Sequence, residues 1–257
     1  MSWREMYMAF ATIVIKEVRR FLRIWPQTLV PPAITMTLYF VIFGSLIGRR
    51  IGQMGGIDYM QFVVPGLIMM AVIQNSYANV VSSFFGAKFQ HHIEELLVSP
   101  TPNAVILLGY TIGGVVRGLC VGLIVTLLAL AFTHLPVHHV GITVLVVLLT
   151  SVLFSMAGLI NAVYANTFDD ISIVPTFILT PLIYLGGVFY SIDLLPGFWR
   201  ELSRANPILY MVNAFRYGLL GSSDIHVGFA LGMITVFIVA GWCFSLHLLN
   251  TGTRLRQ

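Results

Sequence analysis

The chain has 257 residues, 58% of them hydrophobic and only 9% charged, with a mean hydropathy of +0.90. Soluble domains carry about a quarter charged residues, so a soluble globular protein is excluded. The 14 Lys and Arg against 10 Asp and Glu give a net charge of +4, too few charges to build a nucleic-acid-binding face; the basic excess reads as membrane topology. The expected fold class is an all-α polytopic membrane protein: six transmembrane helices and an N-terminal interfacial amphipathic helix in one transmembrane domain, residues 1–257.

In residues 1–27, Trp3, Tyr7, Phe10, Val14, Val18, Phe21 and Trp25 recur in steps of three and four, while Lys16, Arg19, Arg20 and Arg23 fall elsewhere. An aromatic apolar face with a basic flank predicts a helix lying in the membrane interface. Its charges are interspersed with its apolar residues, unlike those of a cleavable signal peptide.

A membrane-spanning helix needs about 20 mostly apolar residues. Six stretches qualify: about 28–47, 59–85, 104–132, 140–164, 171–192 and 227–249. Pro31 and Pro32 are expected in the opening turn of the first, where a missing N–H costs little. With the N-terminus cytoplasmic, the inner segments carry eight basic residues (Arg4, Lys16, Arg19, Arg20, Arg23, Lys88, Arg254 and Arg256) and the outer loops five (Arg49, Arg50, Arg200, Arg204 and Arg216). That bias predicts both termini inside.

The second span is polar in its second half, with Gln74, Asn75, Ser76, Asn79, Ser82 and Ser83. These residues must face protein, as glue between helices or as the lining of a solute path. Gln74, Asn75, Asn79 and Ser82 are candidate path residues. The third span carries Gly109, Gly113, Gly114, Gly118 and Gly122, and the fourth Ser151, Ser155, Gly158 and Ala162; such small-residue stripes let helices approach closely in lipid. Arg117 lies near the middle of the third span, where an ionisable residue is costly. No carboxylate falls inside any span, so Arg117 is expected to snorkel to the headgroups or to face a cavity.

The fifth span contains Pro175, Pro181 and Gly186-Gly187, and its prolines predict a kinked, mobile element. Pro181, Gly186 and Gly187 join the candidate path residues. Thr167, Asp169 and Asp170 before it fit a helix cap rather than a metal site. The outer segment 193–222 is rich in Leu, Phe, Trp and Tyr and holds Asn206-Pro207, which predicts two short re-entrant or surface helices broken at the proline. On the cytoplasmic side, residues 89–100 predict a short helix with Phe89, Ile93, Leu96 and Leu97 on one face and Gln90, Glu94 and Glu95 towards the other. It reads as a docking element or an interfacial linker.

No phosphate-binding G-x-x-x-x-G-K-[ST], G-x-S-x-G or H-E-x-x-H motif occurs, so catalysis is unsupported and no cofactor is expected in this chain. Cys120 and Cys243 sit alone in apolar runs, and His134, His138 and His139 lack the carboxylate or thiolate support of a metal site. A transporter driven by an ion gradient would need an intramembrane acid; a non-transporting scaffold is a further alternative.

Three stretches in order, Glu94-Glu95-Leu-Leu-Val-Ser-Pro100, Pro181 to Ser191, and Leu195-Pro-Gly-Phe-Trp199 followed by Asn206-Pro207, resemble signature stretches of the ABC type-2 permease family. The resemblance covers essentially the whole chain. It implies an exporter of a hydrophobic compound, lipid or glycan in the bacterial cytoplasmic (inner) membrane. Two permeases would pair with two copies of a separate ATP-binding cassette ATPase, which holds ATP and magnesium. Phe89, Gln90, Ile93, Glu94, Glu95, Leu96 and Leu97 would form the coupling helix, and Phe198, Trp199, Asn206 and Pro207 part of the outer gate.

Overall fold

The structure is a computed structural model and describes residues 2–54 and 56–252; Arg254 and Arg256 lie outside the described residues. Helix α1 (Trp3–Arg23) opens with a reciprocal cap, in which the Ser2 hydroxyl accepts from the Glu5 amide and the Glu5 carboxylate accepts from the Ser2 amide. The chain breaks at Ile24 and continues as α2 (Trp25–Ile51), whose last turns from Val41 to Gly48 widen into π geometry. The Thr28 hydroxyl bonds the carbonyl of Phe21 across the bend. Because α2 starts at Trp25, Pro31 and Pro32 sit inside the helix rather than in its opening turn. They cannot return amide bonds to the carbonyls of residues 27 and 28.

A two-residue antiparallel ribbon, β1 (Gln53–Met54) and β2 (Ile57–Asp58), leads into α3 (Tyr59–Phe89). Then come α4 (His92–Val98), α5 (Asn103–Leu130), α6 (Val140–Tyr164), α7 (Asp170–Leu185), α8 (Gly197–Arg204), α9 (Pro207–Leu220) and α10 (Val227–Thr251). The chain is an all-α polytopic membrane protein. Helices α2, α3, α5, α6 and α10 are each long and apolar enough to cross a membrane.

α7 is shorter than expected, ending at Leu185 instead of near residue 192. Its 16 residues rise about 24 Å. Pro181 cannot bond the carbonyl four residues back, and both the amide and the hydroxyl of Thr180 reach the Pro175 carbonyl five residues back, so residues Val174–Leu179 adopt π geometry. Gly187 at φ +70° then reverses the chain.

α3 is the central helix, flanked by α5 and α6. Close approach follows from the small-residue stripes. A Cβ at Gly118 would overlap the Ser76 hydroxyl, one at Gly114 would meet Ser155 and Val80, and one at Gly158 would meet the Tyr77 carbonyl. Gly109 and Gly113 receive Ile13 and Glu17 of α1. The buried line of α1 is therefore Ile13, Glu17 and Phe21, turned by about one residue from the aromatic stripe read in the sequence, because the glycines of α5 admit that face. Trp3 and Tyr7 are exposed.

α9 is not a surface helix. It is buried along most of its length against α6, α10 and α3. Arg216, expected in an outer loop, is 2% exposed; its Nη2 donates to the Gly187 carbonyl at 2.7 Å, and its guanidinium lies 3.8 Å from the Phe62 ring centre.

Candidate functional site

Between Phe62 and Lys88 of α3 the accessible positions fall at Gln74, Ala78, Ser82 and Gly86, one every four residues, while their neighbours are buried. This row runs between α2 and α7. A cavity of about 300 Å³ on the α2 side is lined by Gln27, Thr28, Pro31, Thr35, Gln74, Asn75, Ala78 and Arg117 among others. A second, of about 200 Å³, lies on the α7 side against Gln74, Tyr77, Ala78, Val81, Pro175, Leu179 and Thr180. Gln74 and Ala78 belong to both. Further along, α2 and α7 meet through aromatic rings: the Tyr39 and Tyr184 hydroxyls lie 3.3 Å apart, and Phe189 contacts the rings of Tyr39, Phe43 and Tyr184. The cleft over α3 is thus closed by aromatic contacts at the end near the β-ribbon and lined by polar groups towards α1.

The candidate path residues separate into two sets. Gln74 and Ser82 are on the accessible row. Asn75 and Asn79 lie behind it, and each is bonded to an arginine: Arg117 Nη2 donates to Asn75 Oδ1 at 3.3 Å, and Arg20 Nη2 donates to the Asn79 carbonyl and Oδ1 at 2.9 Å each. Pro181, Gly186 and Gly187 shape the far end of α7, where Gly186 packs on Ile208.

Glu17 was not singled out by its sequence context. It is fully buried, accepts from the Ser83 hydroxyl at 2.6 Å and lies 3.4 Å from Arg20. None of the five helices long enough to cross a membrane carries an acid, yet α1 delivers this one between α3 and α5. The available signal was the i, i+4, i+8 spacing of Ile13, Glu17 and Phe21 against Gly109 and Gly113.

α4 hangs below α3. Lys88 is buried and its Nζ donates at 2.7 Å to the carbonyls of both Val163 and Ala165, capping the end of α6. His91 takes a left-handed φ of 61° to turn the chain. Ile93 is buried, and Leu96 and Leu97 are half-buried. Phe89 is exposed but its ring meets Phe168 edge-on at 5.0 Å. Glu94 is bonded to His91 Nδ1 at 3.2 Å, whereas Gln90, His92, Glu95 and Val98 are exposed, Val98 by 84%. Beside this helix, Thr167 and Asp170 form a reciprocal cap at the start of α7. The backbone amide of Asn166 leads the hydrogen bonds that hold the Asp170 carboxyl below its ordinary pKa.

At the opposite end, Phe198 and Trp199 of α8 are exposed and stack edge to face. Asn206 caps α9 by accepting from the Ile208 amide, and its Nδ2 donates to the Leu182 carbonyl left open by the end of α7. Pro207 starts α9, where the missing N–H is tolerated. His138 bonds the Leu219 carbonyl and His139 stacks on Tyr217, so both rings serve the fold.

Helices of this number and apolarity, with a polar cleft along the central one and a short exposed helix below it, describe a membrane transport subunit. The ABC-2 type transporter family model matches residues 8–220, and the chain belongs to that family of ABC transporter permeases. It is 60% identical over 251 residues, 98% of each chain, to the inner membrane transport permease YadH of Escherichia coli strain K12. It is also 21% identical over 249 residues, 96% of this chain and 91% of the relative, to Nodulation protein J of Rhizobium meliloti strain 1021.

Proposed function

We propose that this chain is the membrane subunit of an exporter in the bacterial inner membrane, driven by a separate ATP-binding cassette ATPase that binds ATP and magnesium. The observation that carries it is α4: seven residues, anchored under α3 by Ile93 and the Lys88 cap, presenting His92, Glu95 and Val98 outward beside the exposed Gln90. A buried root and an exposed tip suit a lever that transmits movement into the bundle. In this reading α7 is the sixth span and both termini are cytoplasmic.

Two permeases would pair across the bare faces of α2 and α7, where Ile34, Leu38, Phe177 and Ile178 are exposed. The row Gln74, Ala78, Ser82 and Gly86 would then face the space between the copies. ATP-driven closure of two cassettes would push α4 and open the aromatic contact of Tyr39, Phe43, Tyr184 and Phe189. The cargo is a hydrophobic compound, lipid or glycan.

The test is gentle purification from native membranes, identification of co-purifying proteins and assay of vanadate-sensitive ATP hydrolysis. A stoichiometric cassette protein is expected. The double substitution Glu94→Lys, Glu95→Lys is expected to abolish its recovery and its stimulation while leaving this chain folded. Recovery and stimulation unchanged in the double variant sink the coupling assignment.

A further inference from the structure

We infer that the cavity beside Arg117 is a binding site for an anionic group, the phosphate or carboxylate of an amphiphile or a free anion. This deepens the export reading and rests on it for the direction of transport. Arg117 sits at the middle of the 28-residue α5, where a charge is far from both headgroup layers. Its one side-chain hydrogen bond among the described residues, at 3.3 Å, goes to the neutral Asn75, and its buried Nε makes none there. A guanidinium presents five donors in a fork that fits two oxygens of one anion, so most of its capacity is unused.

No acidic side chain among the described residues pairs with it. None of the described residues lining the cavity is acidic. Glu17, the buried acid of this half of the bundle, is already held by Ser83 and Arg20, and Ser83 lies about 12 Å along α3 from Asn75 at 1.5 Å per residue. Arg20 is spent on that pair and on Asn79, one turn from Asn75, which leaves Arg117 as the cation facing the cavity. The remaining lining supplies amides and hydroxyls from Gln27, Gln74, Thr28 and Thr35, with Pro31, Pro32, Met36 and Ala78 as apolar walls. At about 300 Å³ the space holds a head group and the first part of a chain. The rest of an acyl tail would lie along α2 in the space between the two copies.

The test uses the purified chain in phosphatidylcholine nanodiscs, with radiolabelled dodecyl phosphate as probe. Saturable binding is expected, displaced by dodecanoate and not by dodecyltrimethylammonium. Arg117→Gln is expected to weaken it at least about tenfold, and Arg117→Lys by less than Arg117→Gln, because charge persists while the fork is lost. Ala78→Leu narrows the cavity without touching the Arg117–Asn75 bond and is expected to weaken binding about tenfold as well; it carries the test if Arg117→Gln fails to fold. Inorganic phosphate that displaces the probe identifies a free anion as the ligand, and failure to displace identifies a head group; both outcomes uphold the anion site. Unchanged affinity in folded Arg117→Gln or in Ala78→Leu, or equal displacement by the cationic amphiphile, overturns it. Binding is read on this chain alone, so failure of the anion site leaves cassette recovery untouched, and absence of a cassette protein leaves the binding result standing.

Discussion

Helices α3 and α10 are both long enough to span a membrane, and they are arranged the opposite way from a water-soluble core. α3, the less apolar of the two, has 89% of its apolar stretch buried in protein, whereas α10 has 11%. In lipid, apolar side chains gain nothing by leaving the solvent. Association is driven by close backbone approach and hydrogen bonds, so the helix with serines, asparagines and glycine-striped neighbours goes to the centre. The polar helix then also carries the accessible row of Gln74, Ala78, Ser82 and Gly86 between α2 and α7, which ties the packing rule to the path proposed above.

The largest expected effect comes from forcing bulk into that centre. Gly118→Leu would collide with Ser76 and Ser151 and should destabilise by about 3 kcal/mol or more, seen as loss of the monodisperse peak in size-exclusion chromatography. The matched change on the periphery, Gly232→Leu in α10, meets nothing within 4 Å and should stay within about 0.5 kcal/mol. Equal damage at both sites would break the contrast between the two helices.

Lys88→Met removes two charge-assisted hydrogen bonds to the end of α6 and should cost about 2 kcal/mol, measured as a fall in melting temperature in detergent. An unchanged melting temperature would mean that α4 is held by Ile93 alone. The smallest effect concerns Asp170. Its carboxyl titrates below the ordinary 3.8, because the folded state binds the charged form. The stabilisation is therefore complete above about pH 4 and is lost as pH falls through the depressed value. Hydrogen-exchange protection of the Asn166 and Thr167 amides should drop over that acid range, and Asp170→Asn should lower it already at pH 7.

The sequence legibly carried the class of protein. Long charge-free runs, small-residue stripes on the third and fourth spans, and an aromatic outer segment broken at Asn206-Pro207 are local or periodic signals. Each reports a constraint the bilayer imposes on one helix at a time. The sharpest misreadings concern charges. Arg216 was counted with the outer loops, yet α9 folds into the bundle and the Gly187 carbonyl and Phe62 ring receive its guanidinium. Glu17 drew no reading from the sequence, yet Gly109 and Gly113 of α5 receive the face of α1 that carries it.

By itself, the sequence determined that the chain crosses a membrane as helices, because backbone amides in lipid must bond within their own segment and hydropathy records where. Only the tertiary structure decided which polar groups are spent on holding helices together and which remain open. Asn75 and Asn79 share a helix face with Ser82 to within a turn. The difference is that Arg117 from α5 and Arg20 from α1 reach the two asparagines, whereas Ser82 is exposed and bonds the Asn79 carbonyl of its own helix. That assignment depends on partners distant in the chain, which no spacing within α3 encodes.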